Sequence, residues 1–284
     1  MTRKSQAWES QNETDSSLVA NSLETLVEGD VSLSGEIPRE QTPALVLDHI
    51  SFEFQSQHVL SHLHLLLPEG GVTGVVGVSG SGKSLVLKMA AGLISPSKGR
   101  VFYRGNDVAM MSEAAYQRMQ SQTGFHFQDA ALWANMSLWD NLALPLMAAH
   151  PSMDEATVAH LVQQALDDAK LRINPHLRPA EVSLGHRKMV GYLRATMNQP
   201  ALLFLDEPSS FLERGSQRVL LNMLSAQKAK GVTMLLATHN FEYIEALADS
   251  IAVLDEGQCV AYGPKSDVFD RDDARLKRVL RELM

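Results

Sequence analysis

The sequence predicts an α/β fold: a parallel sheet flanked by helices, with a helical lobe inserted into it. Three observations carry this. The apolar runs ALLFLDEP and VTMLLATHN are separated by a helical pattern, as strands buried on both faces would be. The glycine-rich GVSGSGKS, Gly77–Ser84, lies between the apolar strand VTGVVG and the helical stretch LVLKMAAGL. In SMDEATVAHLVQQALDDAKL, the residues Val158, Leu161, Val162, Ala165, Leu166 and Ala169 recur at helical spacing behind a predicted capping box, Ser152 to Glu155.

The elements follow in order. Residues 1–43 are rich in Ser, Thr, Glu and Gln, with no sustained period, and read as a disordered acidic tail. From ALVLDHISFEF onward short alternating strands appear, and Glu69-Gly70-Gly71 makes a turn before VTGVVG. The helical lobe is expected at about 129–198, and SIAVLDEGQCVAYG reads as a hairpin turning near Glu256-Gly257. The organisation expected is a tail over 1–43, a folded domain over 44–265 and an amphipathic helix over 266–284. In that helix Leu276, Val279, Leu280 and Leu283 share one face, which folds back on its own domain more readily than it waits for a partner.

Composition excludes several functions. The formal charge is -8, and residues 1–43 hold three basic and eight acidic side chains, so nucleic acid is not the expected partner. The single cysteine, Cys259, cannot form a disulfide within the chain and reads as a small apolar strand residue. No apolar run approaches the roughly 18 residues of a membrane span, so membrane association is expected through other subunits. His58, His62 and His64 alternate along a predicted strand pair with no carboxylate or thiol at suitable spacing, and are read as packing and solvent-exposed residues rather than a metal site.

Gly77–Ser84 is the strongest chemical signal. Gly77, Val78, Ser79, Gly80, Ser81 and Gly82 form a loop whose backbone N–H groups can point inward at phosphate oxygens, and the helix that follows adds its positive N-terminus. Lys83 is then placed to reach terminal phosphates, and Ser84 to offer its hydroxyl to Mg²⁺. In LLFLDEP, Asp206 and Glu207 follow directly on a buried strand. Adjacent residues there point different ways, which suits Asp206 to the metal and Glu207 to an attacking water as general base.

Together these residues resemble the ATP-binding subunit of ABC transporters, from about residue 45 to about residue 265. The resemblance implies an ABC-type P-loop ATPase core with an antiparallel β subdomain and the inserted helical lobe. It also implies Mg²⁺-dependent ATP hydrolysis, a second ATPase subunit and a multi-span permease, with the chain cytoplasmic and peripheral at the inner face of the membrane. Phe54, in SFEF, matches the aromatic that stacks on adenine, core packing being its other reading. Gln128, in GFHFQDAAL, matches the glutamine that joins the Mg²⁺ site to the membrane-facing lobe, or is a surface amide. His239, in LLATHN, matches the histidine that contacts the γ-phosphate, or is a satisfied buried histidine.

Within the family, FQDAALWANMSLWDNLALPL is similar to the Mla-type phospholipid-transport ATPases, which implies lipid as cargo and an MCE-like lipid-binding protein as partner. Trp133 and Trp139 then lie where a permease's coupling helix docks, or fill the lobe's own core. VSLGH, at 182–186, occupies the place of the family's signature, leucine, serine, two glycines and a polar residue, which is donated to the other subunit's ATP. Ser183 and Gly185 match; Leu184 replaces a glycine, and His186 holds the last position. Where the family has glycine, leucine and aspartate after the catalytic glutamate, this chain has Phe211, Leu212 and Glu213. Both departures lie in elements that serve the partner's nucleotide, which implies slow turnover in a homodimer, the assembly favoured, or one productive site in a heterodimer. A regulatory, mechanotransmitting ATP-binding subunit that moves no cargo is the alternative.

Overall fold

The structure is a computed structural model describing residues 42–55 and 57–283; of the tail predicted over 1–43, residues 1–41 lie outside the described residues. Two sheets organise it. The first is antiparallel, built from β1 (Leu45–Phe54), β2 (Gln57–Leu67), β4 (Lys98–Tyr103) and β5 (Asn106–Asp107) in the order β2-β1-β4-β5. The second contains β3 (Val72–Gly77), β6 (Thr123–His126), β7 (Leu202–Asp206), β8 (Thr233–Ala237), β9 (Ser250–Asp255) and β10 (Gln258–Pro264), ordered β10-β9-β3-β8-β7-β6. β9, β3, β8, β7 and β6 run parallel, and β10 closes one edge antiparallel to β9.

Alternation along the parallel strands divides the core. Val72, Val76, Leu203, Leu205, Met234, Leu236, Ile251 and Val253 face one buried cluster, while Val75, Leu202, Phe204, Leu235, Ala237, Ala252 and Leu254 face the other. Both faces are covered, which is why these strands read as unbroken apolar runs. The second cluster also takes Leu45, Leu47, Ile50, Leu63 and Leu65 of the antiparallel sheet. Val86, Leu87, Met89 and Ala90 of α1 (Lys83–Ala90) belong to the same cluster, so this helix packs between the sheets. A backbone bond from Ser61 to the Gly257 carbonyl, 2.9 Å, ties the two sheets near the β9–β10 turn. Glu256 and Gly257 take φ of 49° and 74° there, the left-handed pair that a two-residue hairpin requires.

After α1, α2 (Glu113–Ser121) leads into β6. Between β6 and β7 lie α3 (Leu138–Ala149), α4 (Glu155–Asp168) and α5 (Leu184–Thr196). Val158, Val162, Leu166 and Ala169 bury the predicted face of α4. Its cap, however, is Asp154, whose carboxylate accepts from the Thr157 N–H (2.9 Å) and hydroxyl (2.7 Å), in place of the expected Ser152. A carboxylate one position before the helix satisfies an orphan N–H and opposes the positive helix end, so Asp154 outcompetes a serine two residues upstream. The chain continues through α6 (Arg214–Ala229), α7 (Phe241–Leu247), α8 (Lys265–Phe269) and α9 (Ala274–Leu283). Leu276, Val279 and Leu280 of α9 are buried in the chain's own core, as read from their spacing; the side chain of Leu283 lies outside what is described. No helix among the described residues is long and apolar enough to cross a membrane.

Candidate functional site

The loop after β3 is shaped by three glycines. A Cβ at Gly77 would lie 2.4 Å from the Leu254 carbonyl oxygen, so only glycine fits between β3 and β9 there. Gly80 and Gly82 have φ of 81° and 100°, which an L side chain would strain. Gly82 is the N-cap of α1 and supplies no side-chain acceptor, so the first N–H groups of α1 are not capped by a side chain. Ser81 is buried, and its hydroxyl has no hydrogen-bond partner among the described residues. Lys83 is buried and donates to the carbonyls of Gly77 (2.8 Å) and Val78 (2.9 Å), folded back along the loop. Burial lowers its pKa, against the raising pull of Glu207 and then Asp206.

Across the loop, the Ser84 hydroxyl donates to Asp206 Oδ1 at 2.9 Å. Burial raises the Asp206 pKa, opposed by that hydroxyl. Serine hydroxyl plus carboxylate is an oxygen donor set suited to Mg²⁺, and together with the unpartnered Ser81 hydroxyl and the glycine cradle it fits a Mg²⁺–nucleotide phosphate group. Gln128, the third residue read as a metal partner, is exposed just beyond β6.

Glu207 is buried, in a left-handed backbone conformation (φ 45°) that a strand continuing straight could not give. Its N–H donates to the Ala237 carbonyl, 2.8 Å, and its Oε2 lies 2.8 Å from His239 Nδ1. The Thr238 hydroxyl and the His239 N–H reach the same oxygen at 3.4 Å. Glu207 and His239, named separately from the sequence, are therefore brought together, and His239 is not a satisfied buried histidine: its side chain is 64% exposed. Phe54 is 60% exposed at the end of β1, which removes the core-packing reading. The adjoining strand β2 brings Val59 and Leu60 against Gly82, so the β1–β2 hairpin flanks the loop.

Ser183 caps α5, its hydroxyl accepting from the His186 N–H at 3.2 Å, and Leu184 is the first helical residue. Gly185 packs on the other departing element: a Cβ there would lie 3.4 Å from the Phe211 carbonyl oxygen and 3.7 Å from Leu212. Phe211 itself is 69% exposed, at φ 62°. The two stretches that differ from the family pattern thus form one surface. Trp133 and Trp139 part company: Trp133 is half-exposed under the Arg194 guanidinium, 5.1 Å from its ring centre, while Trp139 packs on the core.

One residue escaped the sequence reading. Lys188, one helical turn after Leu184, is fully buried, and its ammonium donates to the main-chain carbonyls of Gln128 and Glu207, each at 2.8 Å. Burial pulls its pKa down to about 8, resisted by Asp206, Glu207 and Asp129. The sequence showed it as part of RK, which matches the family's helix after the signature but implies no role, and as a lysine beside the apolar run MVGYL, on the same helical face as Leu184. Arg194, farther along α5, donates to the Ala130 and Ala131 carbonyls (3.1 and 2.8 Å), so α5 grips the segment after Gln128 at two points.

The ABC transporter family profile matches residues 60–210. The Methionine import ATP-binding protein MetN of Rhizobium meliloti (strain 1021) is 32% identical over 254 residues, 86% of this chain and 70% of that protein. MetN 1 of Burkholderia pseudomallei (strain 1710b) is 34% identical over 222 residues, 78% of this chain and 64% of that protein. The chain thus spans roughly two thirds of these relatives' length. Among solved structures, one described as the ATP-binding subunit of an ABC transporter superposes with TM-score 0.72 at 27% identity, covering 84% of this chain and 99% of that one. The dimeric, post-hydrolysis ATP-binding cassette MJ0796 bound to ADP and Pi gives TM-score 0.72 at 21% identity, over 78% of this chain and 98% of that one, a likeness of fold.

Proposed function

This chain belongs to the ABC transporter family as an ATP-binding subunit, and from that premise we propose that it hydrolyses Mg²⁺-ATP as one half of a homodimer that drives a multi-span permease. The observation that supports this best is the Ser84–Asp206 contact, 2.9 Å, set beside a buried Glu207 whose carboxylate is held by His239. Mg²⁺, when bound, would supply charge neutralisation, and Ser84, Asp206 and Gln128 are the residues that would hold it. The loop from Gly77 to Gly82 offers its N–H groups to the phosphates, and Lys83 turns from the Gly77 and Val78 carbonyls toward them. Phe54 stacks on the base. Glu207 Oε2 accepts the proton of the attacking water, and His239 keeps that carboxylate aimed. Ser183, Leu184, Gly185 and His186 face the partner's nucleotide, where Leu184 adds bulk and no donor and so slows turnover.

Cargo is set by partners. The relatives named above carry methionine import in their names, so an amino-acid cargo is the first to test. Lipid movement with an MCE-like partner rests on the phrase after Gln128 and draws no support from those relatives.

The test uses the purified chain. Glu207→Gln should keep Mg²⁺-ATP binding, lose at least about 100-fold in turnover, and accumulate an ATP-dependent dimer; turnover like the wild type sinks the assignment. Copurification with a permease, followed by ATPase stimulation with methionine against phospholipid, separates the cargo readings. A complex containing a regulator and no permease would favour the mechanotransmission alternative.

A further inference from the structure

The antiparallel sheet carries a cluster that the nucleotide site does not use. Between the pairs Leu47↔Leu65 and Ile50↔Leu63, strand β1 has two residues, Asp48 and His49, where β2 has one, His64. That is a β-bulge, and it undoes the alternation that would send Asp48 and His49 to opposite faces. His49 takes φ 47°, a left-handed conformation costing on the order of 1 kcal/mol or more for a non-glycine residue. The third strand accommodates it: between Asp48↔Arg100 and Ser51↔Lys98, β4 has only Gly99. A Cβ at Gly99 would lie 2.5 Å from both the Asp48 and the His49 carbonyl oxygens.

The bulge gathers three side chains. His49 Nδ1 lies 2.7 Å and His64 Nδ1 3.4 Å from Asp48 Oδ1, and the two rings are 5.1 Å apart, tilted by 52°. One ligand atom from each residue falls within a 4.8 Å sphere of mutual distances. The His64 ring is 15% exposed, and neither of its nitrogens is in hydrogen-bond geometry with a partner among the described residues. Arg100, the β4 residue opposite Asp48, has its guanidinium Nε 4.0 Å from Asp107.

We propose that Asp48, His49 and His64 form a divalent transition-metal site that takes Zn²⁺. Two imidazoles and a carboxylate are borderline-soft donors of the kind Zn²⁺ selects, with a water completing the tetrahedron. Bonds of about 2.0–2.1 Å place neighbouring ligand atoms roughly 3.3 Å apart in a tetrahedron. The 3.4 Å separation of His64 from Asp48 already meets that, and His49, whose side chain is 60% exposed, has room to open from 2.7 Å. His58 and His62 are not members: His58 pairs with Glu53 at 3.3 Å. The carboxylate that the histidine spacing lacked is supplied across the sheet. This site stands apart from the nucleotide reading and does not depend on it.

The experiment is a Zn²⁺ titration of the tag-free full chain, stripped with chelator and followed by calorimetry against a chromophoric competitor. One saturable equivalent is expected, with a rise in thermal stability. His64→Gln and Asp48→Asn should each weaken it at least about 10-fold. His49→Asn, which tolerates the left-handed backbone and so keeps the fold, should do the same, and His58→Ala should leave it unchanged. X-ray absorption on the loaded wild type should show two imidazole nitrogens. Absence of saturable binding overturns the proposal. So does binding of equal strength in the folded His49→Asn and His64→Gln variants, which would mark an adventitious surface site.

Discussion

Replacing Lys188 by methionine separates what this residue does for folding from what it does for turnover. Methionine keeps an unbranched apolar stem of similar reach and removes the ammonium. In the wild type that ammonium is buried, and its pKa has fallen from 10.5 to about 8. A drop of this size corresponds to about 3 kcal/mol spent on keeping the charge in the folded state. Against this stand two charge-assisted hydrogen bonds at 2.8 Å, to the Gln128 and Glu207 carbonyls, each contributing about 1.5–3 kcal/mol. Lys188→Met therefore removes a penalty and two bonds of comparable total size, and its net cost to stability is about 0–3 kcal/mol. Turnover has no such compensation. Glu207 sits at φ 45°, and the carbonyl that Lys188 holds belongs to that same residue. A base displaced by about 1 Å loses on the order of 100-fold in rate. The expectation is a fall in kcat of about 10- to 100-fold, nucleotide affinity within about threefold, and a melting temperature lowered by a few degrees at most. The assays are steady-state ATPase, fluorescent-nucleotide binding and thermal unfolding on the same preparations. A pH series adds a signed check. Because the folded pKa lies below the unfolded one, the unfolded chain binds more protons between about pH 8 and 10.5. Wild-type stability relative to Lys188→Met should then rise with pH across that window, by up to about 3 kcal/mol. A kcat within twofold of wild type in a well-folded variant, or a stability difference that falls with pH, would refute the reasoning.

Leu184→Gly should raise basal ATPase by several-fold, up to on the order of 100-fold if the added bulk displaces donors from the partner's phosphate; unchanged or lower activity in a folded dimer would falsify the brake. Asn141 is fully buried and bonds the Trp133 N–H (2.9 Å), the Trp133 carbonyl (3.2 Å) and the Ser137 carbonyl (2.9 Å). Asn141→Leu should cost about 2–4 kcal/mol of stability by denaturant titration, with nucleotide affinity unchanged, and a loss below 1 kcal/mol would contradict its bracing role. Trp133→Ala should weaken permease capture while the melting temperature holds, whereas Trp139→Ala should lower the melting temperature, because only Trp139 packs on the core; the reverse pattern would move the docking surface.

The shape of the glycine-rich loop was legible because its residues are contiguous. Seven peptide bonds link Gly77 to Ser84, and strand, glycines, lysine and helix come in one order that only one local geometry satisfies. Asp206, Glu207 and His239 were legible for a related reason: each lies at the end of a parallel strand or within two residues beyond it, and strands buried on both faces announce their own ends by where the apolar run stops. The α4 face was read from its period, yet its cap moved from Ser152 to Asp154, because two acceptors competed for one helix end and the charged neighbour won. What sequence could not place are contacts made by approach of distant segments. Lys188 meets the Gln128 and Glu207 carbonyls only because α5 crosses beneath the ends of β6 and β7, and a buried ammonium leaves no spacing signature of its own. Asp48, His49 and His64 share a face only because one extra residue in β1 breaks the two-residue period on which any reading of a strand depends.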